Sequence, residues 1–597
     1  MAEFAHLLLL GLGAGALYAL SALGLVLVYR SSGVVNFAHG AAGVIGAFAF
    51  WDLTANAGWA PLPAAAAGTL AAAALGLLTY LVVMVLPRGG SALTRTIATL
   101  AVLLVVQSAA LLRYGQVPRQ AQPFLPGGIV DLGGGVTVSA DRLILLATAV
   151  ALALALGQVY RRTRVGLATT AVSESPRNLA ALGWRVGLLC AGNWALGGAL
   201  GGLAGVLIAP ITGVAASNGL LLIVNVLAAA LIGGLTSFRL TLAGGLLIGV
   251  LQAELAQHDL GVSGLADAVP FLAIVAVLVV RGNALPLRGF VGERLPRVGS
   301  GRLRPGWLLT GAALLATAIG LAGDAAASAI TTSLLAAIVL LSLVVVLGYA
   351  GQLSLAQVTL SGVGALLAAR LARDLGVPLP LALPLAALGT VPAGLAVGLP
   401  SLRTRGVSLA IATLGLAVAV QALVFGNGAI AGGQDGIVIS ASGELVVLGV
   451  ELDSFFHPHR YALLVLGVLL CLALPVANLR RGRAGRRLVA VRSNERAAAA
   501  LGVDVVAAKL WAFALGAAIA GAGGVLVAYR NPAAVFDQFG VLGNVSLVAY
   551  AVVGGVGSAL GAFAGGVLQS GGVGSWLLGE LAAGAARWIE LIGGLTL

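Results

Sequence analysis

GVVNFAHGAAGVIGA, residues 33–47, sets Asn36 and His39 in a run that is otherwise glycine and apolar. Two polar residues three apart share one face of a helix, and buried polar groups need partners. GQLSLAQVTLSGVGA, residues 351–365, follows the same plan, with Ser354 and Gln357 at the polar positions and Gly33/Gly351 and Gly46/Gly364 in register. The chain therefore carries one device twice, and the rest of the sequence shows what surrounds each copy.

Hydrophobic residues make up 60% of the 597-residue chain and charged residues 9%, with a mean hydropathy of +1.07. Soluble domains carry about 25% charged residues, so this is a polytopic membrane protein. Apolar windows near the ~20 residues a helix needs to cross a bilayer recur from end to end. They run continuously apolar instead of alternating, which excludes a transmembrane barrel. The opening FAHLLLLGLGAGALYALSALGLVLVY has no basic region before it and exceeds the ~7–15 apolar residues of a signal peptide, so it reads as a retained span. The formal charge of +13 comes from arginines in short loops. Such a pattern sets topology by the positive-inside bias and does not point to nucleic acid. Cys190 and Cys471 each lie inside an apolar run, in neither a disulfide nor a metal pattern.

RGNALPLRGFVGERLPRVGSGRLRPG (281–306) is basic and rich in Gly and Pro, the composition of an exposed connector. It separates a unit at 1–285 from a unit at 306–597, with 286–305 as the linker. The units repeat one another: WALGGALGGLAGVL (194–207) is answered by FALGAAIAGAGGVL (513–526), and LIGGLTSFRLTLAGG (231–245) by VVGGVGSALGAFAGG (552–566). A constant offset near 320 residues marks one ancestral unit present twice. Each unit offers roughly eight to nine apolar segments, among them 34–54, 540–556 and 559–576, and each is interrupted by a polar stretch (115–140 and 432–454) expected to form an extramembrane hairpin. Each also has its Arg-rich loop at the same place. Positive-inside logic puts both loops in the cytoplasm, so the expected fold is all-α, with two homologous multi-span units in parallel orientation around a central pathway.

The Arg-rich loops, 161–186 and 480–505, share finer detail. Ser175 precedes Pro176 and Gly183 follows PRNLAAL; Asn494 precedes Glu495 and Gly502 follows ERAAAAL. Ser or Asn suits an N-cap, Pro or Glu the first turn and Gly the C′ position, so both loops predict a two-turn helix of equal length. A helix that short is marginal in water and is stable when docked. Lys509 is the one lysine of the chain, so no G-x-x-x-x-G-K-[ST] phosphate loop can be written. No nucleophile–base pair or metal cluster appears either. Two short cytoplasmic helices on a membrane body without its own motor suit coupling to two nucleotide-binding subunits.

GLGAGALYALSALGLVLVYRSSGVVNFAHG (11–40) resembles the signature of the LivH-type permease of branched-chain amino acid ABC importers, and LLSLVVVLGYAGQLSLAQVTLSGVGA (340–365) that of its LivM-type partner. The two Arg-rich loops resemble the family's coupling motif, so Glu174, Ser175, Pro176, Arg177 and Gly183 in the first and Asn494, Glu495, Arg496 and Gly502 in the second are the expected ATPase-coupling residues. The resemblance implies two permease subunits fused in one chain in the inner (plasma) membrane. It also implies two ABC ATPase subunits that bind the ATP, with no cofactor held by the chain itself, and an extracytoplasmic amino acid binding protein. Arg177, Trp184 and Ser493 depart from the family's usual residues. The second unit ends at IELIGGLTL, where the family continues through a full span, so a short last span or an incomplete chain is expected. Urea and short-amide importers resemble the same family. A reading from another class is an ion- or proton-coupled secondary transporter, although Glu254, Asp267, Glu580 and Glu590 sit near span ends and form no relay.

Within this frame the signature segments allow two readings. Their glycines permit an interrupted helix or close backbone approach, and a broken helix at membrane depth is tolerated where it faces protein or a water-filled cavity. Asn36, His39, Ser354 and Gln357 are thus candidates for the substrate pathway, or polar residues satisfied inside tight helix packing.

Overall fold

The computed structural model describes residues 2–86, 92–131, 133, 136–258, 263–281, 298–299, 301, 305–404, 406–439, 446–447, 449–581, 588 and 591. Most of the 286–305 connector, the end of the chain and Glu590 fall outside them. The chain divides into two compact units, Met1–Glu293 and Arg294–Leu597. Eleven helices among the described residues are long and apolar enough to cross a membrane, and a bent pair brings this to twelve. This is an all-α polytopic membrane protein.

In the first unit the helix Ala2–Ser32 is the hub, packed against Phe238–Gln257 and Val186–Thr212. Val186–Thr212 also holds Pro61–Tyr80 and the signature helix His39–Ala55. In the second unit Val505–Ala528 packs on the signature helix Gln357–Leu375 and on Asp324–Leu343. Burial differs widely among the spans. The apolar windows of Phe4–Ser32 and Asp324–Tyr349 are each 83% buried, whereas those of Ala140–Arg162 and Pro458–Arg481 are 28% and 33% buried and leave their sides to lipid.

Close packing of the signature helices rests on glycine. A Cβ on Gly46 would stand 2.6 Å from the Gly202 carbonyl oxygen, and one on Gly364 2.5 Å from the Gly521 Cα. Without a strong hydrophobic drive between helices inside a bilayer, such backbone contact supplies the dispersion energy that holds them.

The segments 540–556 and 559–576 do not form two spans. They fold as Val541–Gly554 and Ala559–Val567, bent by 119°. At about 1.5 Å rise per residue neither covers a ~30 Å hydrocarbon core. The bend has a local cause: Gly555 takes φ +100°, and Ser558 restarts the helix by accepting the Gly561 N–H at 3.1 Å. The segment 34–54 likewise becomes helical only at His39, because the chain is broken before it. The polar stretch in the first unit forms an antiparallel pair, Ile129–Asp131 with Thr137–Ser139. In the second, Val446–Val447 pairs with Val450–Glu451, while Ile437–Val438 pairs with the distant Ala533–Ala534.

Candidate functional site

Both signature segments are breaks built alike. Ser31 and Ser32 turn their hydroxyls onto the Val28 carbonyl at 2.9 and 2.8 Å, and Gly33 takes φ +69°. In the second unit a π-helical turn, Val344–Tyr349, unwinds the preceding helix before Gly351, also at φ +69°. The non-helical residues that follow are buried, so their backbone groups need partners. Thr99 Oγ1 accepts the Phe37 N–H at 3.0 Å, and Thr413 Oγ1 accepts the Leu355 N–H at 2.9 Å.

All four polar candidates are buried within their own units. His39, 1% exposed, stands 2.8 Å by Nε2 from the Ser21 carbonyl on the preceding helix. A carbonyl can only accept, so Nε2 carries the proton and Nδ1 is an acceptor. Neither that Nδ1 nor Asn36 Oδ1 has a hydrogen-bond partner among the described residues. Gln357 makes the corresponding link to its own preceding helix, accepting from Ser342 Oγ at 3.0 Å and donating to Ser354 Oγ at 3.3 Å. The structure therefore joins Ser354 to Gln357 directly. Asn36 and His39 meet through the backbone, His39 N–H donating to the Asn36 carbonyl at 3.3 Å.

The Arg-rich loops fold into matched helical pairs. Arg164–Glu174 is followed by Pro176–Ala181, and Arg483–Ser493 by Glu495–Ala500. Ser175 Oγ accepts the Asn178 N–H at 3.3 Å, and Asn494 Oδ1 accepts the Ala497 N–H at 3.1 Å. Each short helix stops on a left-handed glycine, Gly183 at φ +84° and Gly502 at φ +80°. The stop is a Schellman closure in both: Gly183 N–H to Ala180 O and Trp184 N–H to Leu179 O in one, Gly502 N–H to Ala499 O and Val503 N–H to Ala498 O in the other. Leu179 and Ala498 turn inward. Glu174, Pro176, Arg177 and Arg496 are on the surface, together with Leu182 and Leu501, which are 77% and 83% exposed at the same position of the two helices.

Several residues that position these sites were not singled out from the sequence. An arginine ties each loop to the helix that precedes the signature, in opposite senses. Arg30 reaches from Ala2–Ser32 to Thr170 Oγ1 at 3.1 Å, over the rings of Tyr160 and Phe238. Arg492 reaches from its loop helix to the Gly348 carbonyl at 2.5 Å. Burial, with the Arg480 guanidinium nearby, lowers the Arg492 pKa from its ordinary value. Asn544 caps the second signature helix from afar, its Oδ1 accepting the Val358 and Thr359 N–H groups at 2.8 and 3.3 Å. One signal for the threonines was present in the sequence: IATL occurs at 97–100 and again at 411–414.

Two copies of one multi-span unit, each with a broken signature segment and a capped short helix, define a duplicated transport permease. The family model described as "Branched-chain amino acid transport system / permease component" matches at residues 7–278 and again at 325–580. The chain belongs to that family and is a multi-pass protein of the inner (plasma) membrane. It is similar to the high-affinity branched-chain amino acid transport system permease protein BraD of Pseudomonas aeruginosa, 30% identical over 287 residues, which are 46% of this chain and 93% of BraD. It is also similar to LivM of Salmonella typhimurium, 34% identical over 238 residues, covering 36% of this chain and 56% of LivM. A probable LivH of Methanocaldococcus jannaschii is 26% identical over 280 residues, 46% of this chain and 89% of that protein.

Proposed function

We propose that this chain forms the membrane pathway of an ATP-driven importer for branched-chain amino acids, uniting in one polypeptide the roles of a LivH-type and a LivM-type subunit. Two ATPase subunits bind the ATP and dock on Pro176–Ala181 and Glu495–Ala500 from the cytoplasm. An extracytoplasmic binding protein delivers the amino acid. The observation that carries this reading is the pair of short helices with the same cap, length and stop, each presenting an exposed leucine, Leu182 or Leu501. A marginal helix kept in duplicate with an apolar residue turned outward is suited to a partner's groove, in the helix-in-groove mode.

The substrate path includes Asn36, His39, Ser354 and Gln357. The unpartnered acceptors Asn36 Oδ1 and His39 Nδ1 suit the ammonium group of an amino acid, since a buried acceptor left unsatisfied is costly until a donor arrives. The chain supplies no catalytic group; ATP hydrolysis belongs to the partners.

The test is uptake of labelled leucine, glutamate and urea into vesicles that contain the chain, its two ATPase subunits and ATP, with the binding protein outside. Leucine uptake that requires both ATP and the binding protein is the expected result. Uptake of urea alone would make it a short-amide importer, and flux driven by an ion gradient without the ATPases would make it a secondary transporter.

A further inference from the structure

Lys509, the one lysine in the chain, is 2% exposed. Its Nζ lies 2.8 Å from Glu495 Oε1 and donates to the Ser401 carbonyl, also at 2.8 Å. These contacts join three elements of the second unit. Glu495 opens the short helix Glu495–Ala500, Lys509 lies in the second turn of Val505–Ala528, and Ser401 lies in the turn Leu399–Leu402 that ends another span. Glu495 sits at the N-terminus of its own helix, and the Lys509 ammonium reaches the C-terminal end of the Leu379–Leu402 span. A carboxylate at a helix N-terminus and an ammonium at a helix C-terminus are both favoured by the backbone dipoles. The pair is well shielded, the Glu495 side chain being 12% exposed.

The first unit builds the same backbone without this lock. The offset that matches Ser175 to Asn494 and Gly183 to Gly502 puts Pro176 opposite Glu495 and Cys190 opposite Lys509. Neither is charged. Cys190 Sγ instead faces the Ser31 carbonyl at 3.4 Å, and the short helix Pro176–Ala181 rests through Leu179 on an apolar cluster with Val28, Tyr80, Val172 and Trp194.

We propose that Lys509 is a positioning residue that locks the second unit's short helix to two membrane spans, so that the two ATPase contacts are mechanically unequal: ionic and stiff in the second unit, apolar and compliant in the first. The ATPase half of this inference rests on the importer reading above, whereas the lock itself does not. An ion pair with a carbonyl fixes direction as well as distance. Movement of Glu495–Ala500 is then passed to Val505–Ala528 and to the Leu379–Leu402 span together.

The experiment uses the full chain in lipid nanodiscs with the exposed Cys471 replaced by alanine. A nitroxide is placed at Leu501→Cys or, as the internal reference, at its counterpart Leu182→Cys. The key variant is Lys509→Met with Glu495→Met, because replacing a buried pair by packed apolar residues is often tolerated by the fold. Lys509→Arg serves as the conservative rescue. The expected result is a label at 501 at least threefold more mobile in the double-methionine chain, restored toward wild type by arginine, with the label at 182 unchanged. In the assembled complex, leucine transported per ATP hydrolysed falls at least threefold. An immobile label at 501 in the double-methionine chain, or equal loosening at 182, overturns the lock. A wild-type complex without ATP-dependent uptake overturns the importer reading, and the mobility measurement then decides the lock by itself.

Discussion

Gly183 and Gly502 offer a clean perturbation because backbone conformation and space are uncoupled there. Both take positive φ, at +84° and +80°, and a Cβ added to either would meet nothing within 4 Å. A Cβ therefore has room at both positions, and the backbone conformation is what a substitution there strains. A non-glycine residue in the left-handed region costs roughly 1–2 kcal/mol, with β-branched residues at the upper end. At about 1.4 kcal/mol per tenfold, Gly→Val reduces the population of the closed Schellman turn by about 25-fold. The Leu179 packing in one unit and the Lys509 tie in the other still hold the body of the short helix, but its exit toward the next span is displaced. Asparagine visits this region readily, so Gly→Asn should stay close to wild type. The assay is ATP hydrolysis by the assembled complex with its binding protein, normalised to permease inserted in the membrane. We expect Gly183→Val and Gly502→Val each to abolish most of the substrate-stimulated rate, and the asparagine variants to keep it. Valine variants that hydrolyse and transport like the wild type would refute the docking role and reduce both loops to topology signals.

Three further outcomes follow from the signature segments. His39→Gln, which places the residue of the second unit in the first, should leave leucine uptake near wild type, whereas His39→Leu, with no hydrogen-bonding group, slows uptake at equal membrane level; equal rates for wild type and the leucine variant would make His39 a packing residue. Thr99→Val and Thr413→Val each strand a buried N–H, of Phe37 or Leu355, at a cost of about 1–3 kcal/mol, and should lower the melting temperature of the purified chain; an unchanged transition for both would show the breaks to be held by other means. Gly46→Val and Gly364→Val drive a side chain into Gly202 and Gly521 and should cut the yield of folded chain sharply, as read by size-exclusion chromatography in detergent; normal yield would show that these helix pairs can part without penalty.

The extent to which this fold can be read from sequence follows the range of the interaction. The short helices were legible because their caps and stops are local: Ser175 bonds three residues on, Asn494 does the same, and each glycine closes its own turn. The duplication was legible because it repeats in register. Span count was not, since apolar composition is the same in a spanning helix and in the bent pair Val541–Gly554 and Ala559–Val567; only the geometry at Gly555 distinguishes them. The surroundings of the signature were illegible for a different reason. Phe37 and Thr99 are 62 residues apart, and Leu355 and Thr413 are 58 apart, so no pattern within one segment names the partner. Glu495 and Lys509 are close in sequence, but their pairing depends on the turn at Gly502 folding one helix back beside the next.

The duplication also sorts residues by what they do. The features that recur in both units are backbone features: the left-handed Gly33 and Gly351, the N–H groups of Phe37 and Leu355 held by threonine, and the caps and stops of the short helices. The residues that differ under this shared backbone are side chains at a few fixed places. Asn36 and His39 in one unit stand against Ser354 and Gln357 in the other, and Pro176 and Cys190 against Glu495 and Lys509. In unit two the signature pair satisfies itself, Gln357 bonding both Ser354 and Ser342, whereas in unit one Asn36 Oδ1 and His39 Nδ1 are left with capacity to accept. The ionic tie belongs to unit two, the counterpart positions in unit one being the uncharged Pro176 and Cys190. Both signatures nevertheless keep a buried acceptor without a partner among the described residues, Gln352 Oε1 being the one in unit two, so the clear difference between the units is the tie of the short helix. On the importer reading proposed above, a duplicated scaffold that differs at this tie argues for unequal transmission through the two short helices, direct to two spans in the second unit and through apolar packing in the first.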